Sequence, residues 1–266
     1  MVSTGRPAAA SHRLVKLDHV LGLPDGIRGC LFDLDGVLTK TAQVHDAAWQ
    51  ETFDSYLRER VRRTGARFVP FDPVADYENY VDGKPRADGT RSFLESRGIT
   101  LPEGSPDDPP DAETVEGLSN RKNQILLRRI GEGGVESYPG SVRYVRAVRD
   151  GGLRRAVVTS SANGREVLEA ARIADLFEAR IDGLTIATDH LRGKPAPDTF
   201  LAGARALGLE PREAAVFEDA QAGVAAGRAG GFGFVVGVDR LGQAGALRED
   251  GADVVVTDLA ELLDRP

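Results

Sequence analysis

Two aspartates one residue apart, Asp33 and Asp35, close the apolar run at residues 27–32 and precede Gly36. In an extended strand, residues i and i+2 share a side, so both carboxylates are expected to face one space. Two carboxylates that close cannot both stay charged and unpaired without cost. A divalent cation relieves the repulsion, and hard oxygen ligands suit Mg2+. A pair of solvated turn acids would have the same spacing. The buried strand before it and the glycine after it favour the chemical reading.

Three further groups have the types that would complete such a site. Thr159, Ser160 and Ser161 follow the apolar run at 155–158, where hydroxyls and N–H groups at a helix start can hold a phosphate. The same residues could simply cap that helix. Lys194 sits in Gly193-Lys194-Pro195-Ala196-Pro197-Asp198. It could offer a point charge to phosphate, or lie in solvent. Glu218 and Asp219 follow the run at 214–217, and acids at a strand end can finish a metal site. Asp219 could equally cap the next helix. Gly223 marks a place for close backbone approach.

The elements that must position these residues form a regular series. Strands are expected at 27–32, 155–158, 179–181, 214–217, 232–238 and 254–256. Helices are expected at 164–171, 197–207 and 221–229, the second with Pro197 in its first turn. That alternation implies an α/β fold: a Rossmann-like, doubly wound parallel sheet. Ligands of such sheets lie at the carboxyl ends of the strands, where every group above falls. Residues 42–137 break the rhythm and read as mostly helical, with helices at 44–63, 89–96 and 115–130. The expected division is a core of 1–41 and 138–266 with a helical cap domain, 42–137, inserted after the first strand. Residues 102–111, rich in Pro, Gly and acid, read as a loop with freedom to move. Residues 1–25 are expected to be a flexible start with a short helix near 14–21.

Composition excludes several classes. The chain has 266 residues, 41% hydrophobic and 28% charged, within the ordinary globular range. A net charge of −7 argues against nucleic-acid partners. The single cysteine, Cys30, permits no internal disulfide and no cysteine metal cluster, and its apolar surroundings point to packing. No apolar run is long enough to span a bilayer, and the first residues lack a signal-peptide apolar region. A cytoplasmic enzyme acting as a monomer or weak dimer is expected.

Taken together, FDLDGVLT, VVTSSANG, GKPAPD and FEDAQAG resemble the four motifs of the haloacid dehalogenase-like phosphotransferase superfamily. The likeness runs over residues 27 to 240, and the four-motif set is far more specific than any member. It implies that Asp33 attacks phosphorus to form an aspartyl-phosphate and that Asp35 is the general acid and base. It also implies that Asp33, the Asp35 carbonyl and Asp219, with Glu218 nearby, hold Mg2+. Thr159, Ser160 and Lys194 would bind the transferring phosphoryl group. The presence of Asp35 points away from carbon–halogen cleavage, which needs no leaving-group protonation.

A finer resemblance is to the β-phosphoglucomutase-like subgroup, through Thr41, His45, Trp49 and Asn163 and through the loop Gly83-Lys84-Pro85-Arg86. It implies that Gly83, Lys84, Arg86 and Asn163 contact substrate, with Arg86 forked onto the distal phosphate of a bisphosphorylated sugar. His45, near the core–cap hinge, is expected to carry a proton near pH 7 and to link Asp35 to cap closure. Trp49 is expected to pack. Asp82 stands where the subgroup carries lysine, and Ala220 where it carries serine. The expected reaction is conversion of β-glucose 1-phosphate to glucose 6-phosphate through a bisphosphate. A small-molecule phosphatase of the same fold is the alternative. A non-catalytic phosphate-ester binding protein is disfavoured because all four motifs are intact.

Overall fold

The computed structural model describes residues 21–82 and 84–264. Gly83 and the expected helix near residue 14 therefore lie outside the described residues. Six strands form one parallel sheet: β1 (Gly29–Phe32), β2 (Arg154–Val158), β3 (Ala179–Ile181), β4 (Ala214–Glu218), β5 (Phe234–Val238) and β6 (Val254–Val256). Their order is β3-β2-β1-β4-β5-β6, so the chain builds outward from β1 and then returns to its other side. Phe32 is in register with Val157 on one side and Phe217 on the other. The reversal puts the ligand crevice at the carboxyl ends of β1 and β4.

Near-continuous apolar strands are what a sheet covered on both faces requires. Cys30, Phe32, Val157, Phe217 and Val236 pack on one face with Tyr144, Val145 and Val148 of α4 (Pro139–Asp150). Leu31, Ala156, Val158 and Val216 pack on the other with Phe200 of α7 (Asp198–Ala206) and Val224 of α8 (Gln221–Ala229). Cys30 is fully buried, and burial pushes its thiol pKa up, which fits a packing role. The remaining α-helices of the core among the described residues are α5 (Gly164–Ala170), α6 (Gly183–Thr188) and α9 (Ala244–Glu249).

Between β1 and β2 run α1 (Ala42–Thr64), a π-helical turn (Tyr77–Val81), α2 (Arg86–Ser96) and α3 (Val115–Gly133). These elements share an apolar cluster of their own around Trp49, Phe53, Phe71, Phe93 and Leu118. Farther along α3, Ile125, Leu126 and Ile130 join the core cluster instead. The two crossings into and out of this segment lie side by side. Lys40 N–H donates to the Glu136 carbonyl at 2.8 Å, and Tyr138 N–H to the Leu38 carbonyl at 2.9 Å.

Several local expectations need correction. β1 ends at Phe32; Asp33 follows it with its N–H still on the Phe217 carbonyl at 2.9 Å, whereas Asp35 lies in the turn closed by Leu38 N–H on the Leu34 carbonyl. Strand alternation is therefore not what aligns them. Glu218 is the last residue of β4 rather than following it, and Pro197 precedes α7 rather than entering its first turn. Helix α4 has no counterpart in the expected series, although Tyr144, Val145 and Val148 carry a helical spacing. Residues 102–111 are fastened: Arg121 Nε donates to the Pro110 carbonyl at 2.8 Å, and Val115 N–H to the Pro102 carbonyl at 2.9 Å.

Candidate active site

Asp33, Asp35, Thr159, Ser160, Lys194, Glu218 and Asp219 line one cavity at the carboxyl edge of the sheet. From the helical segment, His45, Lys84 and Arg86 line the same cavity, and Asn163 joins from the loop before α5. Of the expected site residues, only Gly83 falls outside this account.

Lys194 is the central cation. It is 4% exposed, and its Nζ donates to Asp33 Oδ1 at 2.5 Å and to Glu218 Oε2 at 2.7 Å. Burial would lower its pKa, but the two carboxylates overcome that and hold it well above the usual range. Glu218 Oε1 accepts the Ala220 N–H at 3.1 Å, so both its oxygens are engaged. A Cβ on Gly223 would strike the Glu218 carboxylate, which explains a glycine there.

The acids fit a hard cation. Oxygens of Asp33, Glu218 and Asp219 lie within 4.8 Å of one another. Burial first, then the Glu218 charge, pushes the carboxyl groups of Asp33 and Asp219 well above their ordinary range. Lys194 alone does not offset three carboxylates, so the donor set favours a divalent ion such as Mg2+. Gly36, at φ +90°, lies against Asp219, where a side chain would collide with the carboxylate. No helix cap competes for Asp219, because the residue before α8 is Ala220.

Asp35 is held differently. The Thr41 hydroxyl donates to its Oδ1, and the Thr159 hydroxyl reaches its Oδ2 at 3.4 Å. Thr41 precedes α1 but makes no capping bond there, so its hydroxyl serves Asp35 rather than the helix. Thr159 also accepts the Ser161 N–H at 3.1 Å. Helix α5 has no side-chain cap from these residues.

His45 Nε2 lies 3.5 Å from Asp35 Oδ1, and its Nδ1 lies 3.0 Å from Lys122 Nζ. When Lys122 is charged it only donates, so in that state Nδ1 accepts and a neutral ring carries its proton on Nε2, facing Asp35. Burial, then the Lys122 charge, pulls His45 down to about 4. His45 is thus neutral at pH 7 and not the expected proton carrier in that range. The group titrating there is Lys122, pulled down to about 7 by burial and then by the Arg86 charge. It is 4% exposed and lies 4.8 Å from the Trp49 ring centroid. Trp49 stacks on Phe53, as a packing residue should, while also lining the cavity.

This gives a signed prediction. An unfolded lysine titrates near 10.5 and Lys122 near 7. Between those values the unfolded chain holds more protons, so the Lys122 contribution to stability rises with pH. Lys122→Met removes that slope. Its melting temperature relative to the parent should climb as pH falls from about 10 to about 7; a pH-independent difference would contradict the shifted pKa.

Sequence reasoning missed Lys122, Asn123, Tyr77 and Arg240, all of which line the cavity. Lys122 had a signal: it shares the buried stripe of α3 with Val115, Leu118, Ile125 and Leu126. Asn123 accepts from Asn163 Nδ2 at 2.7 Å. Arg240 follows β5 at the same sheet edge, and its Nε donates to the Gly36 carbonyl at 2.8 Å. Its guanidinium stacks 3.6 Å from the Tyr138 ring centroid.

Comparison with known proteins follows the same lines. A family model described as haloacid dehalogenase-like hydrolase matches residues 27–231. A Mycobacterium tuberculosis β-phosphoglucomutase is 59% identical over 247 residues, 92% of this chain and 94% of that protein. A Bacillus subtilis β-phosphoglucomutase is 31% identical, covering 89% of this chain and 92% of its own. The crystal structure of a Clostridium difficile β-phosphoglucomutase superposes with a TM-score of 0.70 at 25% identity, covering 89% of this chain and 93% of that one.

Proposed function

The chain belongs to the haloacid dehalogenase-like hydrolase family, and we propose that it is a Mg2+-dependent β-phosphoglucomutase. The reaction is interconversion of β-glucose 1-phosphate and glucose 6-phosphate through a bisphosphate. One observation carries this reading: Asp33 with Lys194, and Arg86 from the helical segment, line a single cavity. A bisphosphate needs two anion sites facing one sugar. Arg86 suits the second, since it lines the cavity and its Nε is buried without a partner among the described residues. Residues 42–137 then act as a cap over the core of 1–41 and 138–266. In this reading the enzyme works in the cytoplasm on a small phosphorylated sugar.

In the first half-reaction an Asp33 carboxylate oxygen bonds to phosphorus as the bond to the departing sugar oxygen breaks. Asp35 gives that oxygen its proton. β-Glucose 1-phosphate then binds, and its free 6-hydroxyl attacks the phosphoryl group on Asp33 as Asp35 takes that proton back. The resulting bisphosphate turns over to present its 1-phosphate to Asp33, releasing glucose 6-phosphate when the first step repeats. Lys194 holds the transferring oxygens, with Thr159 and Ser160 beside it, while Lys84, Arg86 and Asn163 hold the rest of the substrate. The Thr41 hydroxyl, donating to Asp35 Oδ1, keeps Asp35 oriented, and His45 Nε2 stands 3.5 Å from the same oxygen. Asp33, the Asp35 carbonyl and Asp219, backed by Glu218, would hold Mg2+, which supplies charge neutralisation at the phosphoryl oxygens when bound.

The test is turnover of β-glucose 1-phosphate with Mg2+, with and without a catalytic bisphosphate, measuring glucose 6-phosphate and free phosphate together. A mutase yields glucose 6-phosphate, requires the bisphosphate and releases little phosphate. Free phosphate matching substrate loss would make the protein a phosphatase, and neither product would make it a binding protein.

A further inference from the structure

Asn120 sits between the fastened loop and Arg86. Its Nδ2 donates to the Pro106 carbonyl at 2.9 Å and to the Asp108 carbonyl at 2.8 Å. Both amide hydrogens are thereby spent on the loop. Only Oδ1 remains, and it accepts from Arg86 Nη2 at 3.2 Å. The amide cannot flip without setting NH2 against a guanidinium that only donates. The loop is itself anchored, by Glu103 on Arg91 at 2.5 Å and by the Thr114 hydroxyl on Asp108 Oδ2 at 2.6 Å. Arg86 meanwhile has a buried Nε with no partner among the described residues, and it lines the cavity.

We propose that Asn120, its amide fixed by the 102–111 loop, is a positioning residue that sets the Arg86 guanidinium for the second phosphate of the bisphosphate. The loop is thus a buttress for substrate recognition. One Arg86 nitrogen is tied back by Asn120, and the fork that remains is aimed in advance, which lowers the ordering cost of binding. The proposal rests on the reading that Arg86 receives that phosphate.

The experiment is a double-mutant cycle of Arg86→Ala, Asn120→Ala and the pair, with β-glucose 1,6-bisphosphate as primer. Asn120→Ser is measured alongside and carries the same expectation, in case the alanine variant folds poorly. Asn120→Ala should raise the half-saturation constant for the bisphosphate about tenfold, with kcat at saturation within about twofold. Phosphorylation of Asp33 by acetyl phosphate, which has no second phosphate to hold, should be unchanged. On the Arg86→Ala background the Asn120 effect should vanish. An unchanged half-saturation constant in Arg86→Ala would overturn the role of Arg86 itself. A large effect of Arg86→Ala with none from either Asn120 variant, or an Asn120 effect that persists without Arg86, would overturn this inference alone.

Discussion

Asp33→Asn should lose turnover by roughly 10^4- to 10^6-fold while remaining folded, a loss on the scale seen when a catalytic nucleophile is removed. The amide keeps the shape of the carboxylate and an oxygen that can still accept from Lys194, which donates to Oδ1 at 2.5 Å. What it lacks is a nucleophilic anion. The substitution also removes one of three carboxylates whose oxygens lie within 4.8 Å of one another. Its melting temperature should therefore not fall below the parent's in the absence of metal. Turnover within tenfold of the parent would remove Asp33 from the chemistry.

Lys194→Met should damage both rate and stability. The lysine is 4% exposed and bridges Asp33 and Glu218. Removing one partner of a buried ion pair leaves uncompensated charge, at a cost of about 3–5 kcal/mol. For a chain of this size that lowers the melting temperature by roughly 10 °C. The variant also loses the fixed cation beside the transferring phosphoryl group, an effect on the order of 10^2- to 10^3-fold in kcat for one preorganised donor. Calorimetry and the glucose 6-phosphate assay read the two effects separately. An unchanged melting temperature with near-parental kcat would mean that Lys194 lies outside the site.

The sheet was legible because its punctuation is local. β3 and β6 match the expected bounds, and so does α8, which follows the buried Glu218 and the Ala220 turn. Helix α4 was not read because it begins at Pro139-Gly140, a pair that reads as a turn. The core of the site was legible for a different reason: acids, a hydroxyl and a lysine at strand ends have few other uses. Long-range pairing was not legible. Lys122 and His45 are 77 residues apart in sequence, and although the α3 stripe reports the burial of Lys122, no local pattern reports that the two meet. The same holds for residues 102–111, where composition suggested freedom to move but Asn120 and Arg121 supply the missing partners.

The account depends on a phosphoryl group resting covalently on Asp33 during turnover. Enzyme mixed with Mg2+ and β-glucose 1,6-bisphosphate can be quenched with borohydride, which reduces an aspartyl-phosphate to homoserine, and then mapped by peptide mass spectrometry. Homoserine at position 33, absent from Asp33→Asn, is the predicted result. Homoserine elsewhere, or none in an enzyme that is turning over, would contradict it.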